Sequence, residues 1–135
     1  LAIGADGVHV GQDDMEAGKV REKLGPDKII GVSAHSVEEA VEAEKNGADY
    51  LGAGAVFSTS TKGDAGALSM ETLKAICSSV SIPVVAIGGI KEENILSLKG
   101  TGVAGAAIVS GIFAQKNIRE ACVRLRSLAK EMVEK

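Results

Sequence analysis

Aromatic residues are nearly missing from this chain. Its 135 residues include no Trp, one Tyr and two Phe. So few rings exclude a nucleic-acid module that works by stacking bases. A surplus of positive charge is missing as well. The net charge is −3 and the pI about 5.4, which leaves no basic footprint for a phosphate backbone. No apolar run approaches the ~20 residues of a membrane-spanning helix. There are two cysteines, Cys77 and Cys122, too few for a disulfide scaffold. Both fall in helix-like stretches and are expected as buried, reduced thiols, as in a cytoplasmic protein. A metal cage lacks its ligands. His9 and His35 stand on different predicted strands, and neither has a Cys or His at ligand spacing. The first residues, Leu1-Ala2-Ile3-Gly4, show neither an initiating Met nor the basic start of a signal peptide. The expectation is a chain that begins inside a longer protein.

What is present is ordinary for a globular domain: 45% hydrophobic residues, 24% charged residues and 17 glycines. The length predicts a single domain over residues 1–135. Short β-branched or Gly-rich runs alternate with longer amphipathic ones. Strands are predicted at Gly7–Gly11, Lys28–Ser33, Tyr50–Phe57, Ile82–Ile87 and Ala104–Val109. Helices are predicted from Met15 to Leu24, after Ser36, over Met70–Ser79, around Glu92–Lys99 and from Ile118 to Val133. Ser36 and Glu39 read as a capping box, and Asn46-Gly47 as a helix stop. A weak repeat recurs where helices hand over to strands, at Gly4-Ala5-Asp6-Gly7, Gly47-Ala48-Asp49-Tyr50 and Gly102-Val103-Ala104-Gly105.

Strands alternating with helices predict an α/β fold with a parallel sheet of five βα units. A barrel of the TIM type is favoured by the repeat, with a doubly wound sheet as its rival. A complete eight-fold barrel takes roughly 200 to 250 residues. The expectation is therefore the C-terminal five-eighths of a barrel, lacking the first three βα units, or an open sheet. Open sheet edges invite pairing with another chain, so self-association is expected there.

Chemistry in parallel α/β folds sits at the C-terminal ends of the strands. Here those ends carry Gln12-Asp13-Asp14, Ser33-Ala34-His35, the run Ser58 to Lys62, Gly88-Gly89 and Ser110-Gly111. Gly88-Gly89 lets backbone N–H groups approach an anion closely, and Ser110 adds a hydroxyl, a phosphate-site pattern. Thr59, Ser60 and Thr61 place three hydroxyls beside the Lys62 ammonium, a mobile charge suited to phosphate. Asp13-Asp14 reads either as a hard-cation ligand or as acidic residues favoured by a helix dipole. His9, inside an apolar run, is expected as a satisfied interior histidine. His35 lies near the strand-end site.

The succession of these motifs resembles the thiamine-phosphate synthase (thiamine-phosphate pyrophosphorylase) family. It is carried by Gly7–Asp14, Gly31–Ser36, Gly47–Gly52, Thr59–Lys62 with Asp64-Ala65, Pro83–Ile90 and Val109–Phe113. The resemblance implies a (βα)8 barrel that joins hydroxymethylpyrimidine diphosphate to thiazole phosphate and releases pyrophosphate, with Mg²⁺. It implies Asp14 as a Mg²⁺ ligand, and Ser33 and Lys62 as holders of the diphosphate. It implies Thr59, Ser60 and Thr61 on the thiazole phosphate, with Gly89, Val109 and Ser110 as the backbone cradle of that phosphate. Its partners are small phosphorylated molecules. The family's frequent prolines are replaced here by Ala55 and Ser58, and nothing in the chain matches its Asn-Asp-Asp run or its basic diphosphate strand.

Two other readings remain. A thiazole tautomerase of the same superfamily resembles the chain at Val32–Glu39 and Ser110–Phe113. It carries a catalytic His where Ala55 stands, and lacks the Thr-x-Thr-Lys run. A non-catalytic, phosphate-binding half-barrel is the alternative from another class.

Overall fold

The computed structural model describes residues 1–57 and 67–134. Three of the described helices begin where a side chain takes up an unpaired backbone N–H group. Ser36 Oγ accepts from the Glu39 N–H at 3.1 Å ahead of α2 (Val37–Lys45). Ser69 does the same for Thr72 ahead of α3 (Met70–Ser79). Asn117 Oδ1 accepts from the Glu120 N–H ahead of α5 (Ile118–Val133). The expected capping box is half made. The Glu39 carboxylate passes over Ser36 and accepts from the His35 N–H at 2.7 Å, with His35 Nδ1 3.2 Å away. The imidazole draws the carboxylate one residue upstream. At the other end of α2 the Ala48 N–H reaches Ala43 O and the Gly47 N–H reaches Glu44 O. This paired closure requires the left-handed φ of +95° that Gly47 adopts.

The strands β1 (Gly7–Val10), β2 (Ile29–Ala34), β3 (Tyr50–Gly54), β4 (Val84–Ile87) and β5 (Gly105–Ala107) form one parallel sheet in chain order. The register sets Val10 beside Val32, Val32 beside Leu51 and Leu51 beside Val84. An order without reversal, joined by right-handed crossovers, puts the connecting helices on one face. A doubly wound sheet reverses its order and is covered on both faces, so the barrel-type reading holds. Among the described residues the sheet is not closed: β1 pairs only with β2, and β5 only with β4.

The core lies between the sheet and its helices. Ile30, Val32, Leu51, Ala53, Val84 and Ala86 point there, against Ala40, Leu73, Ile76, Leu98 and Leu125, all buried. At the N-terminal edge of the strands Arg21, on α1 (Ala17–Leu24), ties four segments together. Its guanidinium donates to the carbonyls of Gly25, Lys28 and Gly47 and to Asp49 Oδ2 at 2.6 Å. Asp49 Oδ2 also accepts from the Ile30 N–H at 2.8 Å. That bond first, and Arg21 second, hold the Asp49 carboxyl below its usual range.

Some expectations need correction. The helix expected around Glu92–Lys99 is a single 3-10 turn, Ile95–Leu98. Asn94 accepts from the Lys91 N–H and donates to Gly89 O, bending the residues a first helical turn would need. α1 starts at Ala17 rather than Met15. β5 is three residues long, because the chain turns at Val109 into a short α4 (Ser110–Phe113) that the periodicity did not show. Cys122 is exposed on α5, not buried, while Cys77 is half-buried and its thiol is pushed up by that burial. No helix among the described residues is long and apolar enough to cross a membrane.

Candidate functional site

The strand periodicity sends alternate side chains to the face of the sheet that none of the described helices covers. The register puts His9, Gly31 and Tyr50 in one row on that face, and Ser33 and Gly52 in the next. The absent side chain at Gly31 is what admits Tyr50, since a Cβ there would run into the Tyr50 ring. A Cβ at Gly52 would stand 3.2 Å from His9 Cε1. In this cleared space the imidazole bridges three strands. His9 Nδ1 lies 2.9 Å from the Tyr50 hydroxyl, and His9 Nε2 lies 2.9 Å from Ser33 Oγ. The two rings sit 5.5 Å apart at 41°. Ser33 is also held by its backbone: Gln12 Nε2 donates to Ser33 O at 2.7 Å. His9 is therefore satisfied, as expected, but on an exposed face rather than in an interior.

The C-terminal strand ends supply the rest. Asp14 sits in the turn after β1, its Oδ2 accepting from the Gly11 N–H at 2.6 Å. Its carboxylate is exposed at the strand-end edge. Gly88 and Gly89 both take left-handed φ values, +105° and +64°. Gly88 O receives the Phe57 N–H, and Gly89 O receives the Asn94 side chain. That leaves a tight turn whose shape only glycines accept without strain. Val109 and Ser110 stand exposed at the start of α4. Gly111 beside them is buried, and a Cβ there would meet Ile90 O at 2.6 Å. This close approach brings the ends of β4 and β5 together, so Gly89 and Ser110 share one corner.

Ser33, Asp14, Gly89, Val109 and Ser110 thus occupy one edge and the bare face beside it. Thr59, Ser60, Thr61 and Lys62 lie outside the described residues. The residues that spacing missed are His9 and Tyr50 as a pair, and Gln12 as a backbone clamp. The signal was available in Gly31 and Gly52, which interrupt apolar strands at period two beside the larger groups. A divalent cation fits Asp14 only as one ligand among phosphates and waters. No group of three His, Cys, Asp or Glu capable of holding a metal occurs among the described residues, and Mg²⁺ is commonly held that way.

The sequence model of the family described as thiamine monophosphate synthase matches residues 1–112. The chain belongs to the thiamine monophosphate synthase family. It is 61% identical over 125 residues to the thiamine-phosphate synthase of Ruminiclostridium cellulolyticum, covering 93% of this chain and 60% of that protein. It is 62% identical over 120 residues to the thiamine-phosphate synthase of Clostridium acetobutylicum, covering 89% of this chain and 57% of that one. Among solved structures, the thiamine phosphate pyrophosphorylase from Pyrococcus furiosus superposes with a TM-score of 0.89 at 46% identity, over 98% of this chain and 63% of that one. A 3-hexulose-6-phosphate synthase at 22% identity and TM-score 0.70 shares the fold. The chain spans about 60% of the length of the curated relatives it matches.

Proposed function

We propose that this chain carries the phosphate-binding part of a cytoplasmic thiamine-phosphate synthase. That enzyme is a transferase coupling hydroxymethylpyrimidine diphosphate to thiazole phosphate with release of pyrophosphate. The single observation that carries the reading is the gathering of Asp14, Ser33, Gly89 and Ser110 along one strand-end edge, in a chain of this family. The residues are read as the last five βα units of an eight-unit barrel, in keeping with the sequential strand order and the open edges at β1 and β5. Those edges are where the sheet would associate with further strands or a second copy.

The chemistry asks for little covalent participation from the protein. The C–O bond to the diphosphate breaks, and its electron pair leaves on the diphosphate oxygen. The thiazole nitrogen then supplies the pair for the new C–N bond. Catalysis of such a step rests on positioning and on stabilising the leaving charge. The Ser33 hydroxyl donates a hydrogen bond to the departing diphosphate, and Lys62 sets a cation beside it. Thr59, Ser60 and Thr61, with Gly89, Val109 and Ser110, are read as the holders of the thiazole phosphate. Asp14 would hold Mg²⁺, which when bound offsets the charge of the diphosphate.

The test is calorimetric titration of the chain with thiazole phosphate and with pyrophosphate plus Mg²⁺, beside an assay for thiamine phosphate. The expected result is weak phosphate binding without turnover by these 135 residues alone, since no Asn-Asp-Asp run or basic diphosphate strand is present in them. Absence of any phosphate binding overturns the reading. Turnover at the rate of a complete synthase overturns the division of the site.

A further inference from the structure

We infer that His9 and Tyr50 are positioning residues that set the direction of the Ser33 hydroxyl. The inference rests on the reading that Ser33 meets the leaving diphosphate.

The geometry is a relay across three strands: Tyr50 Oη to His9 Nδ1, and His9 Nε2 to Ser33 Oγ, each 2.9 Å. A neutral imidazole has one donor and one acceptor nitrogen, so the bond at one end decides the role at the other. The phenol is the better donor, and it is placed on Nδ1. The proton of the ring then sits on Nε2 and is donated to Ser33 Oγ. Ser33 becomes an acceptor toward His9, and its own hydrogen is left to point at an acceptor-only group such as a diphosphate oxygen. The opposite tautomer would take the Ser33 hydrogen into the ring and turn a lone pair toward the anion, which repels it. A nucleophilic serine would need that opposite arrangement, but the displacement described above uses no protein nucleophile.

Two further features hold the relay in place. Gln12 fixes the Ser33 carbonyl at 2.7 Å, so the backbone under the hydroxyl is anchored independently of His9. Gly31 and Gly52 leave room for the two rings, since a Cβ at either would press on Tyr50 or His9. The network is therefore shaped by strand positions whose side chains are missing.

The experiment has one arm that does not depend on function. Long-range ¹H–¹⁵N spectra of the chain report the His9 tautomer, and the Hα–Hβ couplings of Ser33 report its χ1 rotamer. The expected result is the Nε2–H tautomer and a single Ser33 rotamer. Tyr50→Phe should mix the tautomers. His9→Ala should average the Ser33 rotamers, and His9→Gln, whose amide can still donate to Ser33 Oγ, should restore one. An Nδ1–H tautomer in the unaltered chain, or a Ser33 rotamer indifferent to both Tyr50→Phe and His9→Ala, overturns the inference. The second arm titrates inorganic pyrophosphate with Mg²⁺. His9→Ala and Ser33→Ala should each weaken binding about ten- to a hundredfold, as for one charge-assisted hydrogen bond. The double variant should weaken it no further. Multiplying losses overturn the relay. If the unaltered chain binds no pyrophosphate, the functional reading falls, and the spectra alone decide whether His9 and Tyr50 orient Ser33.

Discussion

The two faces of the sheet are drawn from the same strands and differ in almost every respect. On the covered face stand Ile30, Val32, Leu51, Ala53, Val84 and Ala86, buried under the helices. On the bare face stand His9, Ser33, Tyr50 and the glycines 31, 52 and 54, with Ile29 and Ile87 exposed among them. One face loses its contact with water and supplies the burial that holds the domain together. The other keeps polar groups and open volume where a ligand can sit. Stability and chemistry thus occupy opposite sides of a layer one residue thick.

The largest effect is expected at the centre of the covered face. Leu51 is 0% exposed, and Leu51→Ala should cost about 2–5 kcal/mol by lost transfer and the cavity left behind. The urea midpoint of unfolding measures it, and an unchanged midpoint would mean that the core is not where the burial places it. Next is Gly31→Ala on the bare face. The new methyl meets the Tyr50 ring, and overpacking of this kind costs about 1–3 kcal/mol. Here the Tyr50–His9 bond should break as well, seen as a change in the His9 imidazole spectrum. A shifted midpoint with an unchanged spectrum would show that Tyr50 moves without carrying His9.

Acid should separate the strand-start edge from both faces. The folded Asp49 carboxyl titrates below its ordinary value, so the unfolded chain binds its proton first as the pH falls. The stability that Asp49 contributes is then whole above pH ~4 and is lost as pH drops through and below that value. Asp49→Asn should therefore destabilise the chain at pH 6 and lose that difference toward pH 3. A difference independent of pH would place the Asp49 contribution in shape rather than charge. The smallest effect is expected at Ile87, 42% exposed on the bare face. Ile87→Ala should lower the unfolding free energy by no more than about 0.5 kcal/mol. A loss as large as that at Leu51 would show the bare face to be covered in solution, by a second copy through the open edges.

Much of the fold was legible because it rests on local rules. Ser69 precedes an amphipathic run and caps it, and Asn46-Gly47 closes a helix, since capping needs only neighbours in the chain. The stretch after Gly89 was not legible as a 3-10 turn. Its helical composition is overridden by the two bonds of Asn94, which depend on where the glycine turn sits. Likewise nothing in the spacing of Glu39 tells that its carboxylate prefers the His35 N–H to that of Ser36.

The site divides in the same way. Asp14, Ser33, Gly89 and Ser110 could be placed along one edge from sequence alone, because parallel strands bring every C-terminal end to the same side. That the ends of β4 and β5 share one corner depended on Gly111 packing on Ile90. That Ser33 meets His9 depended on a register joining residues 24 apart in the chain, and Tyr50 joins from 41 residues away. Alternation along one strand tells which side chains share a face. Only the pairing of strands tells which of them stand within hydrogen-bond reach, because that distance is set by register across the sheet and not by position along the chain.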